Sequence, residues 1–416
     1  MKARILTLLL LLTLPGWSQE KITLEECYAL VAKNYPLAKQ SHLLEQQNTL
    51  NQEAISTEKL PKLELSAQAT YQSDVIQIPI QNSGIEPLNK DQYRATLSIN
   101  QLIYNGGRID ASSNLKSAQL KTKKQEVEVS LYQLKKQVNQ LYFSILLSQE
   151  KHKLLSTKQV QLQAKLKEVQ SGIANGTVLP ASDNVLQAEL LKIKQQFTEV
   201  DNTKANLIET LSALIAQPLQ ASTTFKEPII DTQINSELKR PELELFQLKK
   251  DEIERSESLM SKQRAPRLMG FATGGYGNPG LNMLDNSFQP FYTVGLKLDW
   301  NVFDWNSNKK QRESLAINKD IVDTNTEVFK LNTNIELKQQ QKDINTIEDF
   351  IATDSEIIKL QRAVLKSADS QFKNGIITAS AYLTELTNLY EDENQLAVHA
   401  IQLQLAKANY NIIQGQ

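Results

Sequence analysis

The sequence of 416 residues is poor in the side chains that most chemistry uses: one cysteine, three histidines, and few prolines or glycines. With Cys27 alone, no intramolecular disulfide can form. His42, His152 and His399 stand far apart, with no second histidine or cysteine at ligand spacing. That excludes a histidine-based metal centre, and each reads as an ordinary surface or seam residue. No serine, histidine and acid set and no paired carboxylates stand out, so neither an enzyme nor a cofactor is expected. Charge of one sign is also missing. The 46 basic residues face 47 acidic ones, which excludes the net basic face that nucleic acid requires. Beyond Leu14 no apolar run reaches the length of a membrane-spanning helix. Gly274 to Gly280 superficially resembles a nucleotide loop, but Pro279 and the want of a following helix exclude phosphate cradling.

What is present is a repetition at an offset of 199 residues. The stretch from Tyr93 to Tyr104 is answered by Tyr292 to Phe303, and Asn175-Gly176 by Asn374-Gly375. The segment after Gly107 holds no proline, and no glycine until Gly172. It predicts a helix of roughly 65 residues, about 100 Å long at 1.5 Å per residue. At the start, Lys2 and Arg4 precede an apolar run from Ile5 to Leu14 and a small-residue site at Pro15 to Ser18, which predicts a signal peptide over residues 1–18.

Strands flank these helices. From Lys62 to Tyr71 the residues Leu63, Leu65, Ala67 and Ala69 alternate with Lys62, Glu64, Ser66, Gln68 and Thr70. From Arg94 to Ile103, Ala95, Leu97 and Ile99 oppose Thr96, Ser98 and Asn100. Val294, Leu296 and Leu298 oppose Thr293, Lys297 and Asp299, whereas the strand from Arg267 to Tyr276, with three glycines, alternates poorly. Each strand has the length of a tilted bilayer-spanning strand. Aromatic residues bracket the apolar stripe: Tyr71, Tyr93, Tyr276 and Tyr292 at one level, Tyr104, Trp300, Phe303 and Trp305 at the other. Leu97, Ile99, Leu296 and Leu298 are therefore expected to face lipid. Four strands cannot close a barrel, and open edges are not tolerated in lipid, so the chain must oligomerise. Two copies give eight strands with a filled interior and three give twelve around a lumen, and the polar inner faces favour the lumen.

The helical segments read as coiled coils, with Val127, Leu131, Leu134, Val138, Leu141 and Ile145 spaced alternately by four and three. The expected organisation is a first repeat over residues 19–220 and a second over 241–416, joined by a linker at 221–240. The first has a hairpin at about 61–104 and a turn at 175–176; the second has a hairpin at about 266–304 and a turn at 374–375. A linker with Pro218 and Pro228 is expected on the surface, midway along the helices. Thr23 to Leu60 and Pro241 to Arg264 are expected as single helices leading into first strands. The fold class is thus a mixed α/β membrane protein, built from a duplicated unit of long helices and a β-hairpin.

Leu24-Glu-Glu-Cys-Tyr-Ala-Leu30, Asn34-Tyr35-Pro36, Leu60-Pro-Lys-Leu63, Asn100-Gln-Leu-Ile-Tyr-Asn-Gly-Gly-Arg108 and Arg240-Pro-Glu-Leu243, in that order and with duplicated Asn-Gly turns, resemble the TolC-type outer-membrane efflux proteins. The resemblance implies a homotrimer with a twelve-stranded outer-membrane barrel over a periplasmic helical tunnel. It also implies docking to a periplasmic adaptor and an inner-membrane RND or ABC transporter, through turns placed here at Asn175, Gly176, Thr177, Asn374, Gly375 and Ile376. The family's aspartate ring positions, six and nine residues after the second turn glycine, are here Ala381 and Thr384. Asp183 lies seven residues after Gly176, and one extra residue per turn would place Tyr382 and Glu385 at the constriction. The competing reading is a periplasmic coiled-coil structural protein without a pore.

Overall fold

A computed structural model describes residues 21–76, 86–232 and 237–416; the expected signal peptide lies outside the described residues. Helix α1 (Leu24–Asn34) starts where Thr23 and Glu26 cap each other, the Thr23 hydroxyl accepting from the Glu26 amide at 3.2 Å and the Glu26 carboxylate from the Thr23 amide at 2.8 Å. Leu24, Cys27 and Val31 share its buried face. The single helix expected from Thr23 to Leu60 is not formed. Pro36 holds Tyr35 out of the helical region at ψ 137, a tight turn covers Pro36–Ala38, and α2 (Lys39–Ser56) starts afresh.

Both long helices form. Helix α3 (Arg108–Ala174) has 67 residues, and so does its counterpart α6 (Ser307–Lys373), displaced by the repeat offset. The returning helices are α4 (Ala181–Ile215) and α7 (Ala379–Gln414). Helix α5 (Pro241–Lys262) occupies the second repeat's position before its hairpin.

Chain segments from both repeats form each of two compact units. The first draws on the described parts of Met1–Lys39, Val127–Pro241 and Val328–Gln416. In one of its cores Val138, Tyr142, Phe143 and Ile145 of α3 meet Leu24 and Cys27 of α1 and Ile208, Leu211 and Ile215 of α4. The linker enters this core and is not merely superficial. Two short strands, β1 (Lys21–Ile22) and β4 (Thr224–Phe225), pair in parallel, and Phe225 is buried against Tyr142 with ring centroids 5.3 Å apart. The Tyr142 hydroxyl reaches the carbonyls of Ile22 (3.0 Å) and Lys226 (2.6 Å), tying both strands to α3. A second core gathers Leu155, Leu162 and Val169 of α3 with Leu186, Phe372, Tyr382 and Leu386 around the two interhelical turns.

The second unit, Gln40–Glu126 and Glu242–Glu327, holds the sheet. Strands β2 (Lys62–Tyr71), β3 (Asp91–Tyr104), β5 (Arg267–Asn278) and β6 (Gln289–Asp299) lie in the order β2-β3-β5-β6, antiparallel throughout. The two hairpins join through β3 and β5, leaving β2 and β6 as edges. Ion pairs fasten α5 to α6: Lys250–Asp323 at 2.7 Å, Arg312–Glu257 at 2.9 Å and Lys319–Glu254 at 2.6 Å. Being largely exposed, each adds little stability and serves mainly to hold register.

Candidate functional site

The sheet is two-faced. Pairing sets Leu63 opposite Ile99, Leu65 opposite Leu97 and Ala67 opposite Ala95; Ile99 and Leu97 in turn meet Ala272 and Gly274, which meet Val294 and Tyr292. Leu97, Ile99, Leu296 and Leu298 thus lie on one face. Among the described residues none covers it: Leu97 keeps 48% of its surface exposed, Leu296 70% and Leu65 78%. The opposite face carries Lys62, Glu64, Ser66, Gln68, Arg94, Thr96 and Ser98, with the Ser98 and Thr273 hydroxyls 3.0 Å apart. An uncovered apolar face this large marks an interaction with lipid or protein.

The poor alternation of β5 has a steric cause. A Cβ on Gly275 would lie 2.4 Å from the Phe291 ring, and one on Gly295 would lie 2.8 Å from the Phe271 ring. Each ring occupies the place of its cross-strand neighbour's missing side chain, so these glycines are packing positions. At one end of the apolar face Phe288 stacks with Tyr276 (5.6 Å) and Tyr93 (6.3 Å). Phe288 escaped the sequence reading because it lies just outside its strand. At the other end a bulge between Leu102 and Tyr104 sets Tyr104 opposite Leu268, which itself pairs with Leu298 of the apolar face. Simple alternation would have turned Tyr104 to the polar side. Phe303 and Trp305, 4.8 Å apart, extend this aromatic level.

Each interhelical turn closes with paired backbone bonds. The Gly176 amide donates to Ile173 (3.0 Å) and the Thr177 amide to Gly172 (2.8 Å); the Gly375 amide donates to Phe372 (3.0 Å) and the Ile376 amide to Gln371 (2.9 Å). Both turn glycines sit at φ +70, where a side chain is strained, and nothing lies within 4 Å of an added Cβ at either. The apices, with Asn175 and Asn374 beside them and Ile376 71% exposed, are uncovered.

Of the constriction candidates, Asp183 accepts from Gln170 (3.0 Å) and Gln187 (2.6 Å), and Glu385 from Gln361 (2.8 Å). Tyr382 is buried and stacked 5.6 Å from Phe372. Burial, then the charges of Asp369 and Glu168, push its phenol up to about 12. Ser380, Ala381 and Thr384 are the exposed positions of this helix turn. Beneath Tyr382, the buried Lys165 of α3 bonds Asp369 of α6 and Glu168, its ammonium 5.1 Å over the tyrosine ring. No local pattern announces a pair 204 residues apart.

Among the described residues no group of three metal-ligating side chains exists, and no helix is long and apolar enough to cross a membrane. Residues 32–217 match the family model for outer membrane efflux proteins. No curated protein matches the sequence. Among solved structures, CusC shares 12% identity, with 94% of this chain and 92% of CusC covered at a TM-score of 0.69. VceC of Vibrio cholerae shares 14%, covering 94% and 96% at 0.66, and CmeC of Campylobacter jejuni 16%, covering 94% and 85% at 0.66. The fold is therefore that of an outer-membrane channel subunit. The matched family, outer membrane efflux proteins, is one of channels, and its model covers residues 32–217, a little under half of the chain.

Proposed function

We propose that three copies of this chain form a passive exit duct through the outer membrane, a twelve-stranded barrel continued by a periplasmic helical tunnel. The observation that carries this reading is the four-stranded sheet with one uncovered apolar face, one polar face and two unpaired edges. Such a sheet is stable in lipid only when closed into a barrel. Helix α6 supports it: Ile317, Ile321, Val328, Leu331 and Ile335 follow heptad spacing and are at least half exposed, so the stripe awaits a partner helix. A coiled-coil protein without a pore would have no use for the sheet.

In this reading the turns at Asn175–Thr177 and Asn374–Ile376 meet a periplasmic adaptor, which couples the duct to an inner-membrane RND or ABC pump. Their support is two apices of matched geometry with uncovered side chains. Asp183 and Glu385 form the acidic part of the constriction, beside the uncharged Ala381 and Thr384. Cross-linking of detergent-purified protein should trap three chains, and planar bilayers should show a steady conductance. A stable monomer without conductance would sink the duct. Bulky replacements at Thr177 and Ile376 should spare the trimer and abolish export; surviving export would put docking elsewhere.

A further inference from the structure

The strand ends on the polar face of the sheet bring together cations that the exit-duct reading alone does not explain. Lys62 is the first residue of β2, Arg267 the first of β5 and Arg108 the first of α3. All three line one cavity of about 300 Å³. Its floor includes Leu102 and Met269, which pair with each other across β3 and β5. Lys62 pairs with Asn100, also in the lining, so the cavity opens on the polar face. Glu58 is the one carboxylate in the lining; three cations against it leave an excess of two positive charges. None of the three cations forms an ion pair among the described residues, although Lys59 nearby is paired with Asp110 at 2.9 Å. Asn105 and Ser112 add neutral donors.

We infer that this cavity is a binding site for soluble multivalent oxyanions, compounds bearing phosphate, sulfate or several carboxylates. Two guanidinium groups offer planar forks suited to such oxygens, and the lysine adds a point charge. Convergence is built into the topology, since the three cations begin three elements that start at one rim. The sign is opposite to that of Asp183 and Glu385. A duct with this site would hold anions at its barrel end while its acidic residues favour cations elsewhere.

The inference rests on the polar face being the inside of a pore, so site and pore are tested separately. Calorimetric titration of inorganic pyrophosphate into the detergent-solubilised full chain reads the site without a pore. Saturable binding is expected, weakened about tenfold or more by Arg267→Gln. It should be unchanged by Arg94→Gln, which lies on the same face about 20 Å along the strand. Absence of saturable binding to the wild type, or equal losses in both variants, overturns the site. Displacement of pyrophosphate by phosphatidylglycerol in the micelle would assign the cations to lipid headgroups and overturn it too. Circular-dichroism melts confirm that the variants fold, and Arg108→Gln provides a second variant should Arg267→Gln not. In phosphatidylcholine bilayers, pyrophosphate should block the conductance and Arg108→Gln relieve the block. Protein that binds but does not conduct refutes the duct and keeps the site; protein that conducts without binding pyrophosphate refutes the site and keeps the duct.

Discussion

Trp305 shows what a single residue can cost and return. Positions 106 and 107 before α3 are glycines at φ +66 and +79, and Gly106 is forced by space, since an added Cβ would lie 1.9 Å from that of Ala265. At the repeat-equivalent positions before α6 stand Trp305 and Asn306, at φ +54 and +61. A bulky residue there carries about 1–2 kcal/mol of backbone strain. The strain is tolerated, on the duct reading, because the exposed indole anchors the sheet at the membrane boundary. Trp305→Gly relieves the strain but loosens the unfolded chain, offsetting about 0.4–1 kcal/mol of the gain. Its stability in detergent should differ from wild type by no more than about 1.6 kcal/mol, while the fraction recovered in outer membranes falls. Unchanged recovery would deny the anchor. A second effect at this scale is acid sensitivity near the turns. Burial works against the charge of Asp369, but hydrogen bonds from Lys165 and Lys373 outweigh it and hold the carboxyl below its ordinary 3.8. Glu189 behaves alike, with burial outweighed by Lys158 and Lys192, below 4.5. A depressed carboxyl contributes its stability above the unfolded value and loses it as pH falls through the folded one. Amide protection around the turns should therefore drop between about pH 5 and about pH 3, and Asp369→Asn should flatten that profile.

At the scale of elements, the sheet's facing is open to direct test. Arginine on a barrel's outer face costs about 2–4 kcal/mol at the bilayer midplane. Leu97→Arg should impair assembly, and Ser98→Arg, on the polar face, should assemble normally; equal outcomes would mean the faces are misassigned. Gly375→Ala should destabilise by about 1–2 kcal/mol through its positive φ, measured by denaturant melts, whereas Gly274→Ala, with nothing within 4 Å and ordinary backbone, should be neutral. These elements were legible in the sequence to different degrees. Strict alternation placed β2, and the proline-free stretch gave α3 to within a few residues. What escaped depended on partners distant in sequence. The break at Pro36 was hidden because prolines also start turns that helices resume after. The β1–β4 pair is two residues long and is held by Tyr142, so it carries no periodicity of its own. Tyr104 changed face through a bulge, and the glycines of β5 made sense only once Phe271 and Phe291 lay across from them. Tyr382 was a constriction candidate only through the family resemblance and one assumed extra residue per turn, and within the chain it is buried against Phe372.

At the scale of the whole molecule, the exposed heptad stripe of α6 predicts how copies associate. On the duct reading, Leu331→Glu should dissociate the proposed trimer in cross-linking assays while the circular-dichroism spectrum stays helical, and persistence of the trimer would remove this stripe from the interface. The two helices of 67 residues each carry a further consequence. Deleting one residue from either would rotate everything beyond it by about 100° and retract it by about 1.5 Å, turning buried seam positions outward. Deleting seven from one alone preserves its seam but puts its turn about 10 Å out of step with the other. Only a heptad removed from both keeps seam and turns together, with about 20° of residual drift. The length of this chain can therefore change only in paired, quantised steps, like a ruler whose two edges must be cut at the same mark. A matched seven-residue deletion should still assemble, and an unmatched one should not.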